Sequence, residues 1–302
     1  MEVMFAYMTN LKTIYASSKF VTTSVTSSTS MFEKSTNLVG GAGTKYNKSY
    51  LDKTYARIDG GTSNPGYFTE KPSTFSTDSW ATIVSSVKAG NTRGYKVGET
   101  KTIDLGTTYG THTLRIANTT TPSECNASGF SQSACGFVLE FADIILYKEF
   151  NSSTSNTGGW SSSELRTFIN NDIYNALPVD LRNIIIDTIV VSGHGKSNST
   201  NFVTTDKLYL LAPKEIFSNW SNSYDTAKSL TRTFDYYISA GVTTSNYSGA
   251  KKYKGTSAYY WWLRSAYSTS NSDFFRVNRS GGWSGSNTAT AANGVSPAFR
   301  IG

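Results

Sequence analysis

Apolar positions along this chain are sparse and fall into short, separated runs. Trp80, Ile83, Val84 and Val87 are spaced i, i+3, i+4, i+7, which predicts one face of a short helix opening near Ser79. Leu165, Phe168 and Ile169 form a second helical stripe, with Ser161 and Glu164 at capping-box spacing before it. Leu177-Pro178 ends that region, and Pro178 is preorganised to start one further turn through Ile185. Strand-like stretches surround these helices: 95–105 as a hairpin turning at Gly98, then 112–117, 137–141, 184–191 and 207–211. Two final anchors, Trp261-Trp262-Leu263-Arg264-Ser265 and 294–302, are rich in residues that suit a packed, pleated surface. Short helices among such strands predict an α+β fold.

The stretch between the two anchors has a different character. Apart from Phe274, Phe275, Val277 and Trp283 it is small and polar, so most of it cannot be core. Strand alternation places Phe275 and Val277 on one face and Arg276 and Asn278 on the other. Phe274 then falls on the exposed side, as a contact residue or the mark of a bulge. Trp261, Trp262 and Leu263 are expected in the core, with Arg264 and Arg300 buried or half-buried in structural pairing. The polar residues resemble an antibody palette, in which rigid aromatics and Arg anchor a ligand while Ser, Gly and Asn adapt to it. The candidate binding residues are Tyr267, Ser270, Ser272, Asp273, Arg276, Asn278, Arg279, Ser280, Gly282, Trp283, Ser284, Ser286 and Asn287.

Composition sharpens this. No Lys, Glu, Gln or Met occurs after Lys254, although Lys is common before it. Codons AAC and AAT with their adenines replaced at random can reach neither these residues nor Trp. Between Ala266 and Asn293 only Trp283 lies outside the reachable set. An ordinary Ser/Gly-rich loop gives the same composition less often.

Over all 302 residues the apolar share is 38%, the aromatic share 14% and the charged share only 16%. Such a balance suits a β-rich protein outside the cell better than a cytosolic enzyme. The net charge of +7 is scattered, the tightest group being Lys251, Lys252 and Lys254, so nucleic acid is not an expected partner. No apolar run is long enough to span a membrane, and no secretory signal is visible at the start of the chain. Cys125 and Cys135 flank a short polar loop without a nearby His. A disulfide is the first reading and two free thiols the second, with zinc improbable.

Chemistry-bearing motifs are absent from the sequence: no HExxH, no GxGxxG, no P-loop and no nucleophile elbow. The two histidines are His112 and His194, the latter in a Gly-His-Gly segment expected to be an exposed turn. Asp273 is the only acid after Lys254, which leaves too few carboxylates for a calcium site there. Neither catalysis nor a cofactor nor a metal is expected.

The first seventy residues contain a repeat. Met4-Phe5-x-x-x-Thr9-Asn10-Leu11 recurs 27 residues on as Met31-Phe32-x-x-x-Thr36-Asn37-Leu38, a period of the kind stacked solenoids use. Leu11–Tyr15 would be a strand of such a coil. With LKTIYASSKFVTTSVTS and the exit ARIDGGTSNPGYFT, this segment resembles the end of a BspA-like leucine-rich repeat array of bacterial surface proteins. An irregular Ser/Thr-rich leader is the alternative. The polar run Glu70-Lys71-Pro72-Ser73-Thr74 is the expected hinge. The domains are therefore placed at 1–70 and 71–302.

The C-terminal framework WWLRSA…FF-x-V…G…GVSPAFRIG resembles the variable region of proteins diversified by retroelements, in which a reverse transcriptase rewrites adenine positions. That resemblance implies a C-type-lectin-like domain, as in formylglycine-generating enzymes, with a variable region over about 264–300 forming the ligand face. The cysteines those enzymes use have no counterpart after Cys135. The order W-x-x-S-x-L-R-x-F-I-N, D-x-L-Y-L-L and WWLRS also resembles a bacterial domain of unknown function, across about 75–302. The function implied is a surface-displayed binding protein for a protein or glycan on another cell, phage or host surface. The alternatives are an undiversified adhesin or wall protein of the same fold, or a phage receptor-binding protein.

Overall fold

The computed structural model describes every residue except Ser18, Lys19 and Arg93, and leaves aside the side chains at 285 and 286. The chain separates into two compact units, Met1–Ser73 and Thr74–Gly302.

In the first unit the repeat is a physical one. Val3, Phe5 and Tyr7 donate their N–H groups to the carbonyls of Thr29, Met31 and Glu33 at 2.6–3.2 Å, so one coil lies along the next. Phe5 stacks on Phe32 at 5.7 Å, and the Asn37 amide donates to Thr9 O at 2.6 Å. The unusual backbone repeats as well. Val3 and Ser30 have φ of 46° and 53°, and Tyr7 and Lys34 have 61° and 59°. Left-handed geometry is uncommon for such residues, so its return at matching positions marks equivalent turns. Strand β1 (Ile14–Ala16) pairs in parallel with β2 (Phe68–Glu70). The strand is thus displaced toward Ala16 from the expected Leu11–Tyr15. Met31, Phe32, Leu38, Ala56, Tyr67 and Phe68 form the unit's core. Asp59 pins the exit segment, accepting from the N–H groups of Ala42 and Thr44 at 2.9 Å each and from those of Gly61 and Gly66.

Residues 70–73 are all exposed. A broad-specificity protease under native conditions should cut first here, because few buried contacts resist local opening. Trypsin is a poor choice, since Lys71 precedes Pro72. First cuts between 80 and 260 would contradict this expectation.

The second unit is α+β, with mixed, mostly antiparallel sheets and several short helices. Its strands in chain order are β3 (Thr100–Asp104), β4 (Thr111–Asn118), β5 (Val138–Phe141), β6 (Leu146–Lys148), β7 (Thr188–Ser192), β8 (Phe202–Asp206), β9 (Lys252–Lys254), β10 (Ser257–Tyr259), β11 (Trp261–Ala266), β12 (Asp273–Val277), β13 (Trp283–Thr288), β14 (Asn293–Val295) and β15 (Ala298–Arg300). One sheet runs β13-β12-β11-β14-β6 and another β15-β5-β4-β3, with β7-β8 and β9-β10 as two-stranded ribbons. Strand β11 is antiparallel to β12 but parallel to β14. Between β14 and β15 the chain passes from one sheet to the other, through the buried pair Ser296-Pro297.

Several local expectations are corrected, while the helix opening at Ser79 and the disulfide hold. The hairpin of β3 and β4 turns at Gly106–Tyr109, not at Gly98. The helix Glu164–Phe168 is capped by Ser163, whose hydroxyl accepts from Arg166 N, and not by Ser161; the Glu164 carboxylate turns instead to Ser152. The 207–211 run is not a strand, because only Tyr209 bridges, to Ala298, while β8 lies just before it. The 184–191 run gives β7, in which Ile189 is exposed. The helix Trp80–Lys88 opens from Ser79 and buries Trp80 and Ile83. Cys125 and Cys135 are joined as a disulfide. Closing so short a loop stabilises the fold by roughly 2–3 kcal/mol through the entropy it removes from the unfolded chain.

Two buried ionic networks cross the core. In the first, Glu140 accepts from Arg115 at 2.8 Å, from Lys252 Nζ at 2.7 Å and from the Tyr237 hydroxyl at 2.9 Å. Burial would raise the Glu140 carboxyl, but Arg115 and Lys252 outweigh it and hold it below its ordinary value of 4.5. Burial likewise lowers Lys252, to about 8 against the pull of Glu140, which leaves it an ammonium at neutral pH. Because the folded-state value of Glu140 is depressed, its stabilisation is present above the unfolded-state value and fades as pH falls through the folded one. Acid unfolding of Glu140→Gln, followed by circular dichroism, should therefore show a shallower loss of stability below about pH 4.5 than the parent chain. Parallel acid limbs would refute the assignment.

Candidate functional site

Strand β11 is buried at every position, and so is the segment from Asn293 to Phe299. These two walls enter and leave the core, and the polar run hangs between them as the hairpin β12–β13 with its flanking loops. The candidate residues divide into three groups along it.

At the first end, the loop before β12 carries Tyr267, Ser270 and Ser272, and Asp273 opens the strand. It is tied to buried Asn156, whose amide donates to the carbonyls of Ser270 and Asp273 at 2.9 Å each. Lys196 N donates to Ser270 O, and Tyr267 rests on Tyr224 at 4.9 Å and on Phe275 at 5.0 Å. The Gly193-His194-Gly195 segment beside it is not an exposed turn, since both glycines are buried and His194 is half-buried. A side chain at 195 would meet Asn156 Oδ1 at 2.1 Å, which requires glycine there.

At the other end of β12, about 13 Å along the strand, lie Arg276 and the turn 278–282. Asn278 serves the turn: its Oδ1 accepts from Ser280 N at 2.9 Å, from Ser280 Oγ at 2.6 Å and from Gly282 N at 3.1 Å. Gly281 has φ of 94° and lies so close to Tyr247 that a Cβ would fall 2.2 Å from its carbonyl oxygen. Gly282 is buried beside it. Asn278 and Gly282 are thus committed to shape, while Arg279 and Ser280 are exposed.

Arg276 and Arg279 define the most distinctive chemistry of the run. Arg276 lies over the Tyr260 ring at 4.2 Å, and Arg279 over Tyr259 at 4.8 Å and Tyr260 at 5.5 Å. Tyr259 packs on Tyr147 at 4.5 Å. Neither arginine meets a carboxylate among the described residues. Arg276 donates to Asn293 Oδ1 at 3.2 Å, while its Nε and the Asn293 Nδ2 are buried without partners. Burial lowers Arg276 from its usual value. Guanidinium groups over tyrosine faces make rigid, partly desolvated anchors of the type that dominates binding hot spots.

The third group is on β13. Trp283 packs edge-on against Trp220 at 5.4 Å, and both line a pocket of about 230 Å³ with Ser221, Asn222 and Thr244. Ser284 and Asn287 are half-buried, and the side chain of Ser286 lies outside those described.

For Phe274 the bulge reading agrees with the register shift between Phe274 and Arg276, but the exposed-contact reading is corrected: the ring is fully buried, stacked on Phe150 at 3.5 Å. Alternation along β12 holds, but both faces of the strand are covered at its Phe274 end. Phe275 meets Trp220 on one side and Phe274 meets Phe150 on the other. Tyr147, Tyr224, Tyr259, Tyr260 and Asn293 were missed as site residues. The adjacent Tyr259-Tyr260 pair just before the Trp261 anchor was the available signal.

His112 is held in place away from this face, its ring nitrogens 2.9 Å from Asp143 Oδ2 and from Tyr109 O. Among the described residues no group of three or more His, Cys, Asp or Glu could hold a metal ion, and no helix is long and apolar enough to cross a membrane.

The second unit is thus an α+β module in which β14 and β15 join two sheets and the hairpin β12–β13 forms one edge of the five-stranded sheet. Residues 137–302, more than half of the chain, match the model of a domain of unknown function, DUF6273, and the chain belongs to that family. No curated protein and no solved structure matches it.

Proposed function

We propose that this chain is a surface-displayed binding protein whose second unit is a C-type-lectin-like domain, with the β12–β13 hairpin and its loops as ligand face. The observation that carries this reading is the contrast between the wholly buried walls and the run they bracket. Within that run Arg276, Arg279, Ser280, Ser284 and Asn287 remain partly or fully exposed, and the two arginines meet no carboxylate among the described residues. The Lys- and Glu-free composition of the same run supports diversification by adenine-directed rewriting. The in-phase stacking of the first unit supports its reading as the end of a leucine-rich repeat array, and the disulfide suits an oxidising compartment outside the cell. The ligand class is a protein or glycan surface, and catalysis is not part of the proposal.

The gene offers the direct test. A near-identical template repeat beside a reverse-transcriptase gene, differing from codons 267–292 only at adenines, is the expected finding. Variation spread evenly over the unit, with no such template, would leave a fixed adhesin of the same fold. That second reading is favoured at Asn278, Gly281 and Gly282, where the backbone geometry admits few replacements.

A further inference from the structure

Away from the hairpin, the second unit has an open pocket of about 540 Å³, within the size range of small-molecule sites. Its wall is built by the loop that the Cys125–Cys135 disulfide closes, which contributes Phe130 and is pinned where Ser131 N donates to Leu230 O at 2.7 Å. Opposite stand Lys214, from the helix Pro213–Ile216, and Ile238, from the helix Asp235–Ser239. Lys228 and Arg232 complete a cationic lining whose single acid is Glu124.

The charges are unevenly satisfied. Lys214 donates to the Ser218 carbonyl at 2.6 Å and Lys228 to the Asp225 carbonyl at 3.4 Å, and neither meets a carboxylate among the described residues. Burial lowers Lys214 from its usual value. Arg232 is held firmly by Asp235 at 2.9 Å, but its contact with Glu124 is longer, 3.5 Å, and Glu124 is half exposed. Three cations therefore converge on one concavity: two meet no carboxylate among the described residues, and the third, Arg232, is shared between Asp235 and the loosely held Glu124.

We propose that this pocket binds a small molecule bearing an oxyanion, a phosphate or sulfate ester or a carboxylate on a ring-sized body, and that Glu124 occupies the anion's place on Arg232 until the ligand displaces it. Lys214 and Lys228 supply charge-assisted hydrogen bonds to the oxyanion, while Phe130 and Ile238 cover the body. The site does not depend on the hairpin or on its diversification.

Isothermal titration of the whole chain with glucose 6-phosphate, glucuronate, inorganic phosphate and glucose tests this. The two ring-bearing anions should bind more tightly than inorganic phosphate, and glucose not measurably. Lys214→Gln and Lys228→Gln should each weaken binding about tenfold, as loss of a charged hydrogen bond does. Glu124→Gln should tighten it, because the internal competitor is gone. Unaltered melting temperatures check that the variants stay folded, and Glu124→Gln and Lys228→Gln alter surface groups. The proposal is overturned by absence of heat with both ring-bearing anions at millimolar concentration, by equal affinity for all three anions, or by tightening that Glu124→Gln fails to produce.

Discussion

Glu215→Ala should destabilise the second unit by about 3–5 kcal/mol, the cost of stranding a buried charge when its partner is removed. Glu215 and Arg264 are both fully buried, and the guanidinium meets the carboxylate through two parallel bonds of 2.6 Å. The remaining donors of Arg264 reach Val191 O at 3.0 Å, Leu210 O at 2.9 Å and Ser133 Oγ at 3.2 Å. Glu215 also accepts from Thr231 Oγ1 and Ala212 N at 2.8 Å each, and from the Ser133 hydroxyl. Truncating the carboxylate leaves a fully buried guanidinium without its ion-pair partner. For a unit of this size, 1 kcal/mol corresponds to about 2–4 °C of melting temperature, so calorimetry will register the loss. The double replacement Arg264→Met with Glu215→Leu should cost less than either truncation, because it removes both charges together. If Glu215→Ala melts within a degree of the parent, the network contributes little to the fold.

Trp262→Ala should cost a comparable amount, about 3–5 kcal/mol, by opening a large void among packed rings. Trp262 is fully buried, packs edge-on against Phe150 at 5.5 Å and donates its indole N–H to Lys148 O at 2.9 Å. Its substitution also leaves that carbonyl without its partner. The informative comparison is a chain with Arg279, Ser280, Ser284 and Asn287 all changed to Ala. Each of those surface changes should alter stability by less than about 0.5 kcal/mol, while together they strip much of the polar hairpin face. Asn278 is kept, because it closes the turn. Denaturant unfolding of both variants decides the matter. A fourfold variant as unstable as Trp262→Ala would make the hairpin a structural element and remove the ligand-face reading.

How legible this was in the sequence varies by element. The helix Trp80–Lys88 and strands β4, β5 and β11 could be read from spacing alone, because each is a local pattern that the core then uses. The α+β class follows from them. The pairing partners could not be read, since nothing local to Trp261 specifies that it lies beside both Val277 and Gly294. Phe274 illustrates the same limit. Alternation assigned its face correctly, but whether that face is wet depends on Phe150, more than a hundred residues earlier. Among the site residues, Arg276 and Arg279 were legible as anchors by type. Their platform was legible only in part: Tyr259, the last residue of β10, and Tyr260 are adjacent, but Tyr147 comes from β6, more than a hundred residues earlier. Asn278 and Gly282 have the composition of contact residues, yet their geometry serves the turn.

The order in which this chain leaves the ribosome gives its last strands a further importance. Strand β11 is the middle member of the five-stranded sheet, and β14 and β15 supply the pairs of β6 and β5. Each of those pairings spans well over a hundred residues of sequence, and such distant contacts form late. During synthesis the first unit can complete its own core while β5 and β6 still wait with open edges. Closure of both sheets comes only when β14 and β15 emerge. A product truncated anywhere in the polar run would lack β14 and β15 and keep those edges unpaired, in a state prone to aggregation and proteolysis. Completion of the second unit therefore depends on β14 and β15, which follow the polar run in sequence.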